Sequence, residues 1–232
     1  MIEKKINYIW LSNSRIPKLN KICMDSWAQA LPNYKIKCWT LKDFNVEKMP
    51  YVKSALSVKN FAFAADYLRS WILYNKGGIY LDTDIYAIKN FEEFLHNQFF
   101  SFVEYHHDSV EHVIQAAFVG CEAEHPIAKE YLEYFNNHNF ENPNTSNKKV
   151  PLCPDIFATC TKKFGFKDVD ETQKLKDGAM IYSSSYVAGT IHEYQKGNYA
   201  IHCCAGSWRK KDLLTNILTK KQQINFLRTL NS

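Results

Sequence analysis

The sequence predicts an α/β domain with a mostly parallel central sheet, an irregular second half and a basic C-terminal helix. Three observations carry this. Strand-like apolar runs alternate with helix-period segments through the first hundred residues. The clearest helix, 61–75, places Ala65, Leu68 and Ile72 at i, i+3 and i+7 and runs into a glycine pair and another strand. Beyond it, short strands follow one another without regular helices between them.

KINYIWL (5–11) is a compact β-branched and aromatic run, an opening strand. Leu19 to Leu31 reads as a helix that Pro32-Asn33 ends, and the alternating YKIKCW (34–39) as a second strand. Residues 41–60 suit short helices and loops. After the 61–75 helix and its glycine stop, Ile79 to Tyr86 reads as one strand. Phe99–Val103 and Val113–Val119 read as strands, Pro126–Phe135 as a helix, and the Asn-rich 136–150 as a loop. Asp155–Phe164 suits a helix, with Asp155 its N-cap. Ala179–Tyr182 and Tyr199–Cys203 suit short strands, and Lys211–Leu230 a closing helix with a basic face that includes Lys220, Lys221 and Arg228. No repeat or linker divides the chain, so 1–232 reads as a single domain.

The composition, 46% hydrophobic and 23% charged over 232 residues, is that of a globular chain with a sizeable core. A net charge of +5 suits an anionic small molecule or membrane surface and is too small to argue for nucleic acid. Seven cysteines without CxxC spacing read as free thiols in a reducing cytoplasm rather than as a zinc site. No signal-peptide h-region opens the sequence, and no apolar run approaches a transmembrane length. The expectation is a cytoplasmic protein, with a peripheral contact at the inner face of the membrane left open by the basic final helix.

GGIYLDTD (77–84) carries the chemistry. On a continuous strand Tyr80, Asp82 and Asp84 share one face, and Ile79, Leu81, Thr83 and Ile85 the other, which suits the core. Two carboxylates on one face repel unless a cation sits between them, and oxygen ligands suit Mg²⁺ or Mn²⁺. Spacing alone is weak evidence, because DVD recurs at 168–170 in what reads as a solvated loop. Context strengthens the first copy: Asp66 and Arg69 lie at i, i+3 on the helix that feeds it, so Arg69 can hold Asp66 or a phosphate near the metal. Taken alone, that pair is also what a helix-surface ion pair looks like.

FAFAADYLRSWILYNKGGIYLDTDIY (61–86) resembles the DxD-region sugar transferases of glycosyltransferase family 32 and the related block of clostridial glucosylating toxins. KINYIWLSNSRIPK, SWAQALPNYKIKCW and YAIHCCAGSW resemble the family's opening, second and closing blocks, in order. The resemblance implies a GT-A-like nucleotide-binding sandwich that uses Mn²⁺ or Mg²⁺ and a nucleoside-diphosphate sugar, with UDP favoured. Residues 1–120 then form the nucleotide-sugar and metal-binding half, and 121–232 the acceptor side and closing segment. It implies that Trp10 stacks on the base and that Asp66 and Arg69 contact ribose or sugar and phosphates. Tyr80 lines the pocket, Asp82 touches ribose or metal-bound water, Asp84 ligates the metal, His202 is an additional ligand or a phosphate contact, and Ser207 and Trp208 close over the diphosphate. Asn7, Ser12, Gln115, Cys203 and Cys204 depart from the family pattern, Gln115 on the sugar and acceptor side.

The function expected is metal-dependent hexosyl transfer to a saccharide or lipid-linked saccharide in capsular or lipopolysaccharide synthesis, with retention at the anomeric carbon. A protein-modifying, toxin-like transferase is the alternative. Two others are a non-catalytic nucleotide-sugar binder, which intact Asp82 and Asp84 disfavour, and a DxD phosphatase. The phosphatase motif opens its chain and has Thr or Val where Tyr86 stands here.

Overall fold

The computed structural model describes residues 1–104, 112–143, 145–146, 149–205 and 213–230. The strands are β1 (Lys5–Ile9), β2 (Lys35–Trp39), β3 (Gly78–Leu81), β4 (Ile85–Ala87), β5 (Phe99–Glu104), β6 (Val113–Ile114), β7 (Phe118–Cys121), β8 (Gln173–Lys174), β9 (Ala179–Tyr182), β10 (Val187–Ala188) and β11 (Ala200–His202). The helices are α1 (Lys18–Ala30), α2 (Pro50–Ser57), α3 (Phe61–Lys76), α4 (Pro126–Asn137), α5 (Cys153–Lys162) and α6 (Leu213–Thr229).

The main sheet runs β2-β1-β3-β7-β5-β9-β8, with β6 paired to β5. Strands β2, β1, β3, β5 and β9 share one direction, whereas β7 and β8 oppose it. A smaller sheet, β10-β11-β4, stands beside it. Inner-face residues of the main sheet, among them Tyr80, Val119 and Ile181, pack under α2 to α5. The other face, with Ile79, Leu81, Phe100 and Phe118, packs against Trp27 of α1, the Phe91–Phe94 turn and the small sheet. Burial of both faces is the principal source of stability in such a layered domain. A third cluster joins Leu19 and Cys23 of α1, Ile201 and Cys203, and Leu227 of α6.

The expected 79–86 strand is two strands in two different sheets, β3 and β4, parted by a turn at 82–84 in which the Ile85 N–H reaches the Asp82 carbonyl at 3.0 Å. Period-two alternation therefore stops at Leu81, and the Tyr80 face is not wet: Tyr80 is 1% exposed, beneath α3. The expected 113–119 strand is likewise two pieces, β6 and β7. Strands β8 and β10, two residues each, carry too few residues for a pattern to announce them. Asp155 is not the N-cap of α5; it sits one turn in and accepts the Leu152 N–H at 3.1 Å. All seven cysteines are free, as expected.

The glycine pair explains why α3 stops where it does. Gly77 takes φ +57°, and a Cβ there would lie 2.6 Å from the backbone nitrogen of Ala123. Gly78 takes φ +84°, with the Lys5 carbonyl 2.9 Å from where a Cβ would stand. Both positions need an absent side chain as well as left-handed backbone. Gly77→Ala should lower the unfolding free energy by about 2–4 kcal/mol in urea denaturation. A loss under about 0.5 kcal/mol would show that the close approach does not constrain this junction.

Candidate metal and nucleotide-sugar site

At the end of α3 the chain reverses through Gly77 and enters β3 between β1 and β7, so that Asp82 emerges at the carboxyl edge of the sheet. Parallel pairing of Asn7 with Tyr80 places Ile9 level with Asp82 and Trp10 one step beyond, on the same edge. In open α/β sheets this edge is where ligands bind.

Asp82 is held from beneath. Arg69 Nη2 donates to both of its oxygens, at 3.0 and 3.3 Å, and the Tyr80 hydroxyl donates to Oδ1 at 2.9 Å. The same Nη2 lies 3.3 Å from Asp66 Oδ1, confirming the expected i, i+3 pair. It is not a surface pair, since the Arg69 side chain is 6% exposed and that of Asp66 17%. The guanidinium also stacks on the Tyr80 ring, 4.8 Å from its centroid, and Nη1 lies 3.4 Å from the Cys153 sulfur. Burial opposes the Arg69 charge, but Asp82 and its other neighbours outweigh this and hold the pKa well above its usual value. Arg69 and Tyr80 are thus under the site, fixing Asp82, rather than open to a ligand from above.

Asp84 is fixed from the other sheet. Strand β11 pairs with β4 so that His202 faces Ile85, the Cys203 N–H donates to the Asp84 carbonyl at 3.0 Å, and the Ala205 N–H donates to Asp84 Oδ2 at 2.8 Å. Helix α1 secures the turn: Asn20 donates to Thr83 Oγ1 at 2.9 Å, and the Trp27 indole to the Ile85 carbonyl at 2.7 Å. His202 Nε2 lies 3.8 Å from Asp84 Oδ1, and its Nδ1 is 3.4 Å from Gln115 Nε2 and 3.5 Å from the Cys204 thiol.

Among the described residues Asp82, Asp84 and His202 form one group of possible metal ligands whose donor atoms all lie within 4.8 Å of one another. Two carboxylates and one imidazole fit a divalent cation that accepts mixed oxygen and nitrogen donors. Trp10 is half-buried, its indole N–H donating to the Ser14 carbonyl at 3.0 Å, so the ring orientation is set. Ser207 and Trp208 lie outside the described residues.

Several contributing residues were not legible as such. Asn7 is buried; it donates to the Gly77 carbonyl at 3.0 Å and accepts from the Trp39 indole at 2.9 Å, tying β1 to the glycine turn. Asn20, Gln115 and Cys204 reach the site only through long-range packing, which no local spacing signals.

The family model of a glycosyltransferase sugar-binding region containing a DXD motif matches residues 17–100 of this chain. Subversion of eukaryotic traffic protein A of Legionella pneumophila subsp. pneumophila is 28% identical over 125 residues, covering 42% of this chain and 19% of that protein. The chain therefore spans about a fifth of that relative's length. The fold is similar to PaToxG glycosyltransferase (TM-score 0.54, 18% identity, 70% of this chain and 69% of that one). It is also similar to a glycosyltransferase involved in the glycosylation of the major capsid of PBCV-1 (TM-score 0.51, 10% identity, 95% and 98%). The glycosyltransferase GlyE of Streptococcus pneumoniae TIGR4 is similar at TM-score 0.51 and 10% identity, over 98% of this chain and 63% of that one. At these identities the structural likeness is one of fold.

Burial lifts the Asp66 carboxyl, Arg69 pulls it back and Asp82 adds to the rise, leaving its pKa at about 6 instead of 3.8. The folded form thus binds this proton more tightly than the unfolded one. Its stabilising effect is present below about pH 4 and is lost as the pH rises through 6. Asp66→Asn mimics the protonated form. The unfolding free energy of the native protein minus that of Asp66→Asn should fall by roughly 2–3 kcal/mol between pH 4 and pH 7. A flat difference in denaturation at those pH values would refute the assignment.

Proposed function

We propose that this chain, a glycosyltransferase carrying the DXD-containing sugar-binding region, takes a UDP-linked hexose with a divalent cation and passes the hexose to a hydroxyl of a saccharide or lipid-linked saccharide. The observation that carries the reading is the convergence of Asp82, Asp84 and His202 at the carboxyl edge of the sheet, with Arg69 and Tyr80 buried beneath Asp82. Asp84 and His202 would hold the cation directly, and Asp82 would share it or orient water on it. When bound, the cation supplies countercharge to the diphosphate and to its departure.

The remaining work falls to the chain itself. Trp10 offers a flat ring for the base, its tilt set by the bond to Ser14. Arg69 is a positioning residue: it neutralises Asp66 and Asp82 and keeps the second carboxylate turned toward the site. Asp66 acts through Arg69 in the same way. Ser207 and Trp208 are proposed to close over the diphosphate. The bond from the anomeric carbon to the diphosphate breaks, and a bond to the acceptor oxygen forms on the same face, giving retention. The acceptor proton passes to a diphosphate oxygen. Residues 1–120 would serve donor and metal, and 121–232 the acceptor, although His202 crosses that division.

A surface polysaccharide, capsular or lipopolysaccharide, is the proposed destination, made at the cytoplasmic side. Among the described residues no helix is long and apolar enough to cross a membrane. Exposed Lys221 and Arg228 of α6 are the proposed contacts with an anionic bilayer surface. A second reading, a protein acceptor, is favoured by the names of the partial relative and of one fold neighbour, a traffic-subverting protein and PaToxG. A phosphatase is disfavoured because Asp82, its would-be nucleophile, is tied by Arg69 and Tyr80.

Nucleotide release should be measured over the common UDP- and GDP-sugars with Mn²⁺, Mg²⁺ or EDTA. UDP release in Mn²⁺, abolished by EDTA and cut about a hundredfold or more by Asp84→Asn, is expected. No turnover of any donor, or turnover indifferent to EDTA, would overturn the proposal. Acceptance of hexose by a protein but by no saccharide would favour the second reading.

A further inference from the structure

Within the triad, His202 is the member whose fit to a cation depends on where a single proton sits. An imidazole that ligates through Nε2, the nitrogen 3.8 Å from Asp84 Oδ1, carries its proton on Nδ1 and needs an acceptor there. Among the described residues two groups stand against Nδ1, the Gln115 amide nitrogen at 3.4 Å and the Cys204 sulfur at 3.5 Å. Which of them bonds the ring decides what the ring can do.

Gln115 Oε1 is engaged by the Ala117 N–H at 3.1 Å, which turns Nε2 toward the ring. An amide nitrogen donates and does not accept. It can serve only a bare Nδ1, which leaves the proton on His202 Nε2 and closes that nitrogen to a cation. Its 3.4 Å also lies beyond the roughly 2.7–3.2 Å of ordinary N–H bonds. Sulfur is a larger atom that bonds at longer range, so 3.5 Å to Cys204 is an ordinary contact.

The surroundings of the sulfur agree. Its own hydrogen goes to the Gly189 carbonyl, 3.3 Å away, which leaves its lone pairs for Nδ1. Strand pairing builds this relay: Ala188 of β10 stands opposite Ile201 of β11, which brings Gly189 level with His202. Cys204 turns back toward the ring from φ +45°, a left-handed conformation that favours glycine, yet a thiol stands there. The residues on either side of it both bind Asp84, through the Cys203 and Ala205 N–H groups, so one turn orients two of the three candidate ligands. Gln115 and Gly189 also line a cavity of about 360 Å³, with Asp170 and Glu193 on its wall. Space therefore adjoins the groups around Nδ1, and hydrogen bonding rather than close packing sets the ring.

We propose that Cys204 is a positioning residue: its sulfur accepts the hydrogen bond from His202 Nδ1–H, which keeps Nε2 bare and aimed at the space between the two carboxylates. The proposal rests on the reading of His202 as a cation ligand, and adds the group that makes it one.

Binding of Mn²⁺ alone to the full chain should be measured by electron paramagnetic resonance, with urea denaturation run on each variant. Cys204→Ala should weaken Mn²⁺ binding about tenfold or more. Cys204→Ser, whose hydroxyl both accepts and donates, should restore it to within about threefold of the native chain. Cys204→Gly suits the turn, so it should resist urea at least as well as the native chain and still bind Mn²⁺ about tenfold more weakly. His202→Ala should also cost about tenfold or more, and adding Cys204→Ala to it should change the affinity by less than about twofold, because the thiol acts through the ring.

Native-like Mn²⁺ binding by Cys204→Ala and Cys204→Gly overturns the proposal. So does a loss in Cys204→Ser as large as that in Cys204→Ala. Additive losses in the double variant overturn it as well, since they give Cys204 a role independent of His202. A native chain that takes up no Mn²⁺, or a His202→Ala chain that binds it as the native one does, would sink the ligand reading and this proposal together. A loss in His202→Ala with none at Cys204 sinks this proposal alone.

Discussion

The buried guanidinium of Arg69 is the interaction on which the rest of the site depends. A cation removed from water is costly unless its donors are matched, and one left beside two carboxylates is worth more than either carboxylate left alone. Here one nitrogen serves Asp66 from its own helix and Asp82 from the next strand, while the ring of Tyr80 lies against the guanidinium. Among the described residues its Nε has no hydrogen-bond partner, so the group is held by charge and stacking more than by full hydrogen bonding. The consequence is geometric. Asp82 is the last point of β3 and the first of a turn, a place where a side chain is ordinarily free, and three donor contacts remove that freedom.

The second constraint is topological. The three residues 82–84 carry the chain from one sheet into another, and this transfer makes the two carboxylates converge. On a flat strand they would point the same way some 7 Å apart. With the chain turning, Asp82 is fixed by the layer of α3 and Asp84 by the layer of β11, so each layer delivers one carboxylate. His202 comes with β11 because pairing with β4 fixes its register opposite Ile85. The glycines upstream belong to the same device: without the close approach at Gly77 and Gly78, α3 and β3 could not meet at the angle that sets Arg69 under Asp82.

What the sequence could reveal follows from this division. Local periodicity exposed α3, its glycine stop, the Asp66–Arg69 pair and the layered α/β class, because each is settled within a few residues. The break after Leu81 was hidden, since LDTDIY alternates as a strand should, and only β11, over a hundred residues later, draws β4 away. The surface reading of Asp66 and Arg69 failed for the same reason: helix spacing shows which residues share a face, but not that α4 and α5 cover it. Asn7, which departs from the family pattern, also illustrates the limit. Its amide ties β1 to the Gly77 carbonyl and to the Trp39 indole, a role visible only when the glycine turn and Trp39 are in place. Resemblance pointed to Asp82, Asp84 and His202 as candidate ligands; packing explains why the three side chains converge.

The partners of the carboxylates separate two environments. At 82–84 the carboxylates meet Arg69 below and His202 beside them. Asp170 and Glu193 accept instead from backbone N–H groups, those of Ser184 and Gly189. The DVD that looked like chance at 168–170 belongs to this second environment, where like charges are spread around a space instead of drawn together. Identical spacing thus serves opposite ends: at 82–84 the fold converges two carboxylates on one point, and at 168–170 it points them at separate partners on a wall. The difference lies in what precedes each motif, a buried cation in one case and a loop in the other.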